Sequence, residues 1–349
     1  MKAWQIGGRG GIAGLHQVER EDPLAGPGEL VVRVLAAGLN YRDLMILEGK
    51  YAPDQPDTRI PLTDGVGIVE AIGEDVVDFA PGDRVIAANF VDWDPSEGFG
   101  FHVFGRDIGV SMDGWLAEKI VLPAKASIKL PETVCDDTAA TLAVVGGTVW
   151  HAMVAFGEAG PGKLVLAQGT GGVAIFALQM AKALGAQFAI TSSSEEKLAQ
   201  ARKLGADYTI NYRERPDWAA ALLEATGGRF ADTVVDTIGF GDFAQTLAAT
   251  GPEGRIGMVG ALSGSPQDAG DFAQGPILGK NITMKGITSG HCGHLASSLG
   301  VVQRHGIETP IDQTFFFADA PAAYEHLASG AHLGKVMVQI AERRASPRS

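Results

Sequence analysis

The sequence predicts an α/β protein, with a doubly wound parallel sheet beside a second, β-rich domain. Between residues 164 and 287, six short apolar segments alternate with segments of helical spacing. Such alternation is typical of a parallel sheet covered by helices on both faces. The first third instead holds strand-length runs of aliphatic and β-branched residues, separated by Pro-Gly-Asp and Asp-Gly turns. A chain of 349 residues has room for about two such domains.

The elements of the middle segment follow one another in strict alternation. We expect strands at 164–168, 188–191, 208–210, 233–236, 256–259 and 282–287, and helices at 175–184, 195–204, 218–225 and 243–249. Gly185 and Gly205 end the first two helices. For a sheet that binds a dinucleotide, the expected strand order is 3-2-1-4-5-6.

Both ends of the chain are expected to build the second domain. Strands are predicted at 30–37, 65–72, 84–88, 115–122, 311–317 and 335–340, with a helix at 324–328. Residues 89–112 show no clear periodicity, and a loop of this length is usually functional or mobile. We therefore predict one domain from 1–140 with 290–349, and a dinucleotide-binding domain from 141–289.

Composition and charge exclude several classes of function. Glycine, at 47 residues, is nearly twice its usual share of about 7%, which indicates many tight turns. The net charge of −13 disfavours nucleic acid as a partner. Two cysteines cannot form a disulfide framework or a four-cysteine zinc site. We see no export signal and no membrane span, and expect a cytoplasmic protein.

A glycine-rich turn follows the first strand of the middle segment. The run Gly169-Thr170-Gly171-Gly172-Val173-Ala174 fits G-x-G-x-x-G/A between a predicted strand and a predicted helix. Gly169 would make the turn, Gly171 would admit a pyrophosphate, and Ala174 would allow close helix packing. The helix N-terminus would hold the phosphates. The alternative is a tight turn that binds nothing.

The end of the second strand bears on the choice of cofactor. An NAD site places an acidic residue there, but this strand ends in hydroxyl residues. Ser192, Ser193 and Lys197 suit a 2′-phosphate, so we predict NADP(H). Two observations oppose this: Ser193 and Glu196 fit a capping box, and Glu195 and Glu196 would weaken phosphate binding.

Six short motifs are spaced along the chain: Gly38–Asp43, Gly65–Glu70, Pro81–Val85, Gly169–Val173, Asn211-Tyr212 and Gly334–Val336. In these motifs and their spacing the chain resembles the medium-chain dehydrogenase/reductase superfamily over nearly its full length. The resemblance implies a Rossmann domain, a GroES-like, β-barrel-type substrate domain, and an active site between them. It also implies a homodimer formed through the last strand of the Rossmann sheet.

The predicted cofactor contacts extend beyond the glycine turn. The segment 288–291 reaches the nicotinamide by resemblance, and so does Thr148, whose alternative is a helix cap. The remaining contacts predicted are Asn211, Tyr212, Gly260, Leu262, Ser289 and Lys335.

The residues that bind zinc in metal-dependent relatives are absent. Those relatives place cysteine at Asn40, His-Glu at Thr63-Asp64 and a third ligand near Val144. The chain thus resembles the zinc-free branch: quinone oxidoreductases, enone and enoyl reductases, and metal-free alcohol dehydrogenase-like proteins. A second metal candidate is the run 291–294, His-Cys-Gly-His, which we interpret instead as a loop beside the nicotinamide.

Without a metal, hydrogen-bond donors must stabilise the charge that builds on a substrate oxygen. The catalytic candidates are Tyr41, Asn40 and Arg42. Tyr41 either donates its phenolic proton or forms an aromatic wall, and Arg42 is expected to pair with Asp43 or another acid. The aromatic residues of the long loop either roof a substrate pocket or fill a core; they are Trp93, Phe99, Phe101 and Phe104.

Three functions remain open. The first is an NADPH-dependent reductase of quinones or α,β-unsaturated carbonyls. The second is a metal-free, NADP-dependent alcohol dehydrogenase or carbonyl reductase. The third is an NADPH-binding protein without catalysis. In the first two, the partner is a small carbonyl, quinone or alcohol.

Overall fold

The computed structural model describes residues 1–8, 10–51, 56–260 and 274–342. The chain divides into two compact units. The first unit holds residues 1–147 and the chain from 290 onward, and the second unit holds residues 148–289.

The described residues form fifteen strands and ten α-helices. The strands are β1 Lys2–Ile6, β2 Leu15–Glu19, β3 Glu29–Leu39, β4 Asp64–Ile72, β5 Arg84–Ala87, β6 Lys119–Pro123, β7 Ser127–Lys129, β8 Leu164–Gln168, β9 Gln187–Ser192, β10 Tyr208–Asn211, β11 Ala231–Asp236, β12 Thr250–Met258, β13 Thr283–Gly286, β14 Ile311–Phe316 and β15 Lys335–Gln339. The helices are α1 Tyr41–Leu47, α2 Asp136–Ala139, α3 Leu142–Val149, α4 Gly172–Ala183, α5 Glu195–Lys203, α6 Trp218–Ala225, α7 Phe243–Ala249, α8 Gln274–Gly279, α9 Cys292–His305 and α10 Ala320–Ala328.

The second unit is built on a parallel sheet whose order among the described strands is β10-β9-β8-β11-β12-β13. In order along the chain these are strands 3-2-1-4-5-6, so the predicted topology is confirmed. Its apolar strands are buried; Leu166 on β8 and Val234 on β11 pair directly and are fully covered. The order in which strands are added to the sheet reverses at β8: β9 and β10 lie on one side of it, and β11 to β13 lie on the other. The carboxyl ends of β8 and β11 are therefore the expected ligand site.

The first unit contains a mixed sheet ordered β14-β15-β3-β4-β5-β7, with β6 also paired to β3. The long β3 is its centre, and its residues Leu30 and Val32 are fully buried in the core. The predicted strand 115–122 begins only at Lys119. Trp115 packs in the core instead, with its indole lying where a side chain on Gly65 would be.

Several elements of the fold were not predicted, among them strands β1, β2 and β7 and the short helices α1 and α2. Helix α9 occupies the start of the last sixty residues, and residues Trp150–Phe156 form a π-helical turn directly after α3. The long segment 89–112 forms one 3₁₀ turn, Phe101–Phe104, and isolated bridges. Over the ranges that the structure describes, no helix is both long and apolar enough to cross a membrane.

Candidate active site

The glycine turn in the second unit has the geometry that its motif predicts. It follows β8 and leads into α4, whose N-cap is Gly171. Gly169 adopts φ +74°, a conformation that favours glycine. A Cβ atom added to Gly171 would point into open space, so the backbone leaves room for a ligand there. Ala174 is buried, and the turn leads into the N-terminus of α4, the end of a helix where free N–H groups can bind an anion.

A buried polar network lies at the carboxyl ends of β8 and β11, beneath this turn. The amide of Gln168 donates to the Thr246 hydroxyl (2.9 Å), which donates to Asp236 (3.2 Å). Asp236 also accepts the Gly239 N–H (2.7 Å), and burial raises the pKa of its carboxyl. The Thr237 hydroxyl donates to the Gln168 carbonyl at 2.6 Å. These bonds tie the two strand ends together; polar residues ending apolar strands were the signal that sequence reasoning missed.

Gly260 follows β12 and lies against the same strand ends. Its N–H donates to the Asp236 carbonyl at 3.0 Å. A Cβ at this position would lie 1.7 Å from the Thr237 carbonyl oxygen, so only glycine fits. Leu262, the other contact predicted here, lies outside the described residues.

The end of β9 corrects the predicted helix cap. Helix α5 begins at Glu195, and its N-cap is Ser194, whose hydroxyl accepts the Lys197 N–H at 3.3 Å. The expected capping box between Ser193 and Glu196 is therefore wrong by one residue. Glu195 forms an ion pair with Arg202, which partly neutralises the carboxylate nearest to the strand end.

The end of β10 lies beside the end of β9. The Tyr212 N–H donates to the Ser192 carbonyl at 3.1 Å, and the Tyr212 ring is partly exposed. Asn211 uses its side chain in its own turn, accepting the Arg213 N–H (3.1 Å) and donating to Glu214 (3.0 Å). Of the predicted contacts, the structure thus brings Ser192 and Tyr212 together.

Thr148 and Ser289 stand at the two ends of the second unit. Thr148 is buried in α3. Ser289 adopts φ +55°, and its carbonyl oxygen lies 2.8 Å from Nδ1 of His151. His151 was not singled out in the sequence.

In the first unit, the partly buried Asn40 contacts the buried side chains of Asp64 and Lys335. Asn40 donates from its amide to Asp64 (2.9 Å) and accepts from the Lys335 ammonium (2.6 Å). Lys335 also pairs with Asp64 at 3.2 Å, and neither side chain is exposed by more than 2%. The other oxygen of Asp64 accepts the Val144 N–H at 2.8 Å.

These are the positions that the resemblance assigned to zinc ligands in metal-dependent relatives. The side chains present do not fit zinc, because an ammonium donates to the oxygens that would face the metal and Val144 offers only its backbone. The Lys335 ammonium uses two of its three protons in this cluster. Its predicted contact with the cofactor stays a prediction. The Asn40 amide carries two protons, and its bond to Asp64 uses one of them.

The other two catalytic candidates differ in their surroundings. Tyr41 is the first residue of α1 and is half-exposed. Arg42 donates to Asp107 at 2.6 Å and lies 4.8 Å from the Tyr51 ring centre. Arg42 therefore pairs with an acid as expected, but the acid is Asp107 rather than Asp43.

Asp43 lies in the first turn of α1 and is fully buried. Its carboxylate accepts the Asn40 N–H at 2.7 Å and the Thr63 hydroxyl at 3.1 Å. Burial outweighs these bonds and the nearby positive charge of Arg42, and it raises the pKa of Asp43 to about 6.

This raised pKa predicts a stability that falls as pH rises. Between about pH 4 and 6 the folded protein keeps a proton on Asp43 that an unfolded aspartate, with a pKa near 3.9, has released. We expect the Asp43→Asn variant to lose less stability than the parent across that window, as measured by urea unfolding. The exposed Asp319→Asn is the control and should follow the parent. Equal slopes in Asp43→Asn and the parent would contradict the assignment.

The aromatic residues of the long loop differ in burial, which tests only the predicted core role. Trp93 is buried and packs edge-to-face on Phe99 at 5.1 Å between ring centres. Phe104 is partly exposed and contacts Phe90 at 5.5 Å, while Phe101 is 94% exposed. The core role therefore applies to Trp93, and Phe101 contributes nothing to the core.

The His-Cys-Gly-His run begins a helix rather than lying in a loop. His291 is the N-cap of α9, and its Nδ1 accepts the His294 N–H at 3.2 Å. The two imidazoles stack at 3.6 Å, and Trp93 packs against His291 at 5.7 Å. Burial lowers the pKa of His291. In the described part of the chain, no group of three or more metal-ligating side chains is found.

Comparison with known proteins identifies the family. Residues 26–132 match the alcohol dehydrogenase GroES-like domain, and residues 172–301 match the family described as zinc-binding dehydrogenase. A zinc-type alcohol dehydrogenase-like protein of Schizosaccharomyces pombe is 36% identical over 94% of this chain and 97% of its own. An acryloyl-coenzyme A reductase of Sulfurisphaera tokodaii is 30% identical over 92% of this chain and 95% of its own.

A solved structure agrees with both matches. The crystal structure of a putative alcohol dehydrogenase from Sinorhizobium meliloti superimposes with a TM-score of 0.89, is 37% identical, and covers 97% of this chain and 99% of that chain. The chain belongs to the medium-chain dehydrogenase/reductase family. It is an NAD(P)-dependent oxidoreductase with a Rossmann domain and a GroES-like domain, and the alternative without catalysis is set aside.

Proposed function

We propose that the protein is an NADPH-dependent, zinc-independent reductase of α,β-unsaturated carbonyl or quinone substrates. The observation that carries this proposal is the Asn40–Asp64–Lys335 cluster, because a lysine ammonium satisfies the oxygens at the family's metal positions. The similarity to an acryloyl-coenzyme A reductase supports a conjugated carbonyl as the substrate class.

We assign the two roles to two domains: nucleotide binding to 141–289, and substrate binding to 1–140 with 290–349. Gly169, Thr170, Gly171, Gly172 and Val173 would hold the pyrophosphate through the N-terminus of α4. Ser192, Ser193 and Lys197 would hold the 2′-phosphate. When bound, NADPH supplies the hydride.

The chain's own residues must then stabilise the substrate oxygen. Tyr41 is accessible at the start of α1 and would donate its phenolic proton. The second amide proton of Asn40 is the other donor, and Asp64 and Lys335 fix the orientation of that amide. Oriented donors of this kind stabilise developing negative charge without reorganising. Arg42 holds Asp107 and would act by stiffening this region.

The choice of cofactor is tested by removing one charge. We expect Lys197→Met to raise the Kd for NADPH about tenfold, the loss of one charge-assisted contact, and to leave the Kd for NADH within about twofold. Fluorescence titration with both nucleotides measures this. The control is Lys203→Met, at the exposed end of the same helix. Equal weakening of both nucleotides by Lys197→Met would contradict the 2′-phosphate assignment.

The reaction itself is tested with the purified protein and a metal chelator. NADPH oxidation should proceed with an enone or a 1,4-quinone and survive the chelator; no oxidation with either substrate would overturn the proposal. The second candidate is a metal-free alcohol dehydrogenase, supported by the similarity to a structure called a putative alcohol dehydrogenase. Alcohol-dependent reduction of NADP⁺, with no enone or quinone turnover, would favour it.

We also propose that the protein is a homodimer joined through β13. This strand is the last in its sheet among the described strands, and its four residues are exposed. An unpaired edge of this kind is a template for pairing with a second strand. Light scattering should therefore give twice the mass of the chain, and a monomeric mass would overturn the assignment.

A further inference from the structure

We propose that His151 is a positioning residue that holds the backbone of Ser289 in a left-handed conformation and so places the segment after β13 against the cofactor. This inference rests on the proposed function in one respect, the contact of Ser289 with the cofactor. The hydrogen bond between His151 and Ser289 lies within the second unit, and it is present without any ligand.

The hydrogen bonds of His151 fix its tautomer. The imidazole is 6% exposed; Nε2 lies 2.9 Å from the Lys285 ammonium, and Nδ1 lies 2.8 Å from the Ser289 carbonyl oxygen. A lysine ammonium has three donors and no acceptor, so Nε2 must accept. The ring is then neutral and carries its proton on Nδ1, which donates to Ser289. Lys285 therefore determines that His151 is a donor toward this carbonyl.

The conformation of Ser289 requires such support. With φ at +55°, Ser289 occupies a region that residues other than glycine seldom adopt. Such conformations persist only where the surroundings impose them, and they occur often at ligand sites. The His151 bond is an interaction of this kind, made directly to the strained residue.

The location of the pair connects it with the nucleotide site. Ser289 comes three residues after the carboxyl end of β13, beyond Ile287, whose N–H donates to the Met258 carbonyl at 2.9 Å. Ligands of doubly wound sheets bind outside the carboxyl ends of the strands. His151 lies in a π-helical turn, three residues after Thr148. π-Helical turns are rare in proteins, and many of those that occur lie at functional sites.

A rescue experiment separates a hold on Ser289 from simple packing of a buried ring. His151→Phe keeps an aromatic ring but removes the donor, and we expect it to raise the Kd for NADPH about tenfold. His151→Asn places an amide nitrogen near Nδ1 and should retain binding within about threefold. In the Ser289→Gly background, His151→Phe should raise the Kd for NADPH by less than about threefold, because glycine adopts a positive φ unaided. A weakening that is as large in the Ser289→Gly background as in the parent, or that His151→Asn shares in full, would overturn the inference.

Two readouts without cofactor keep this test independent of the proposed function. The nitrogen-15 NMR signals of the His151 ring are assigned by their absence from the spectrum of His151→Asn. They should show a protonated Nδ1 and an unprotonated Nε2, and the reverse would overturn the inference. In urea unfolding, His151→Phe should destabilise the Ser289→Gly background less than the parent, and equal destabilisation would also overturn it. A different outcome would refute the proposed function alone. If both readouts are as expected but the parent binds neither NADPH nor NADH, then Ser289 does not contact a cofactor and the proposed function is wrong.

Discussion

Replacing Lys335 with methionine is expected to lower the free energy of unfolding by about 3–5 kcal/mol. Methionine fills much of the same volume, so the loss arises from charge rather than from a cavity. The Asp64 carboxylate and the Asn40 amide oxygen would both lose the ammonium that they share, and the side chains of Asp64 and Lys335 are almost fully buried. A buried charge left without its partner is among the most destabilising changes known. Urea unfolding measures the effect.

Two further variants identify the cause of the loss. Lys129→Met removes an ion pair with Asp83 at the surface, where the Lys129 side chain is half-exposed. It should lower the free energy of unfolding by less than about 1 kcal/mol. Adding Asp64→Asn to Lys335→Met removes the unpaired charge and should recover more than half of the loss. If the double variant is as unstable as Lys335→Met alone, the charge of Asp64 is not the reason for the instability.

The Rossmann unit could be read from the sequence because its signals are local. Strand β8 and helices α6 and α7 have the predicted bounds, 164–168, 218–225 and 243–249. Each strand of a buried parallel sheet is a short apolar run, and glycines or polar residues mark its ends. Periodicity within ten residues therefore contains most of the information about these elements.

The cluster around Lys335 could not be read in this way. Lys335 and Asn40 are 295 positions apart, and their contact depends on β15 pairing with β3. A lysine that follows a glycine gives no local sign that it will be buried. The resemblance alone placed Lys335, and it placed it at the cofactor. Helix α9 was missed for a different reason: its cap is a histidine and Gly293 is its second residue, neither of which is typical of a helix start.

Gly171→Ala is expected to raise the Kd for NADPH and for NADH alike by about a hundredfold, equivalent to about 2.7 kcal/mol. The fold should tolerate the change, because Gly171 has φ −75° and ψ 179° and its added Cβ meets open space. That open space lies at the N-terminus of α4, where the pyrophosphate of either nucleotide would approach the backbone. The methyl group would thus exclude the ligand without disturbing the protein.

Gly160→Ala is the matched control, since its Cβ also meets open space in the second unit, ahead of β8 rather than after it. It should leave both affinities and the unfolding midpoint unchanged. Taken with Lys197→Met, the three variants distinguish the parts of the nucleotide site: a change at the pyrophosphate weakens both nucleotides, and a change at the 2′-phosphate weakens NADPH alone. Equal nucleotide affinity in Gly171→Ala and the parent would show that the glycine turn is only a tight turn between β8 and α4.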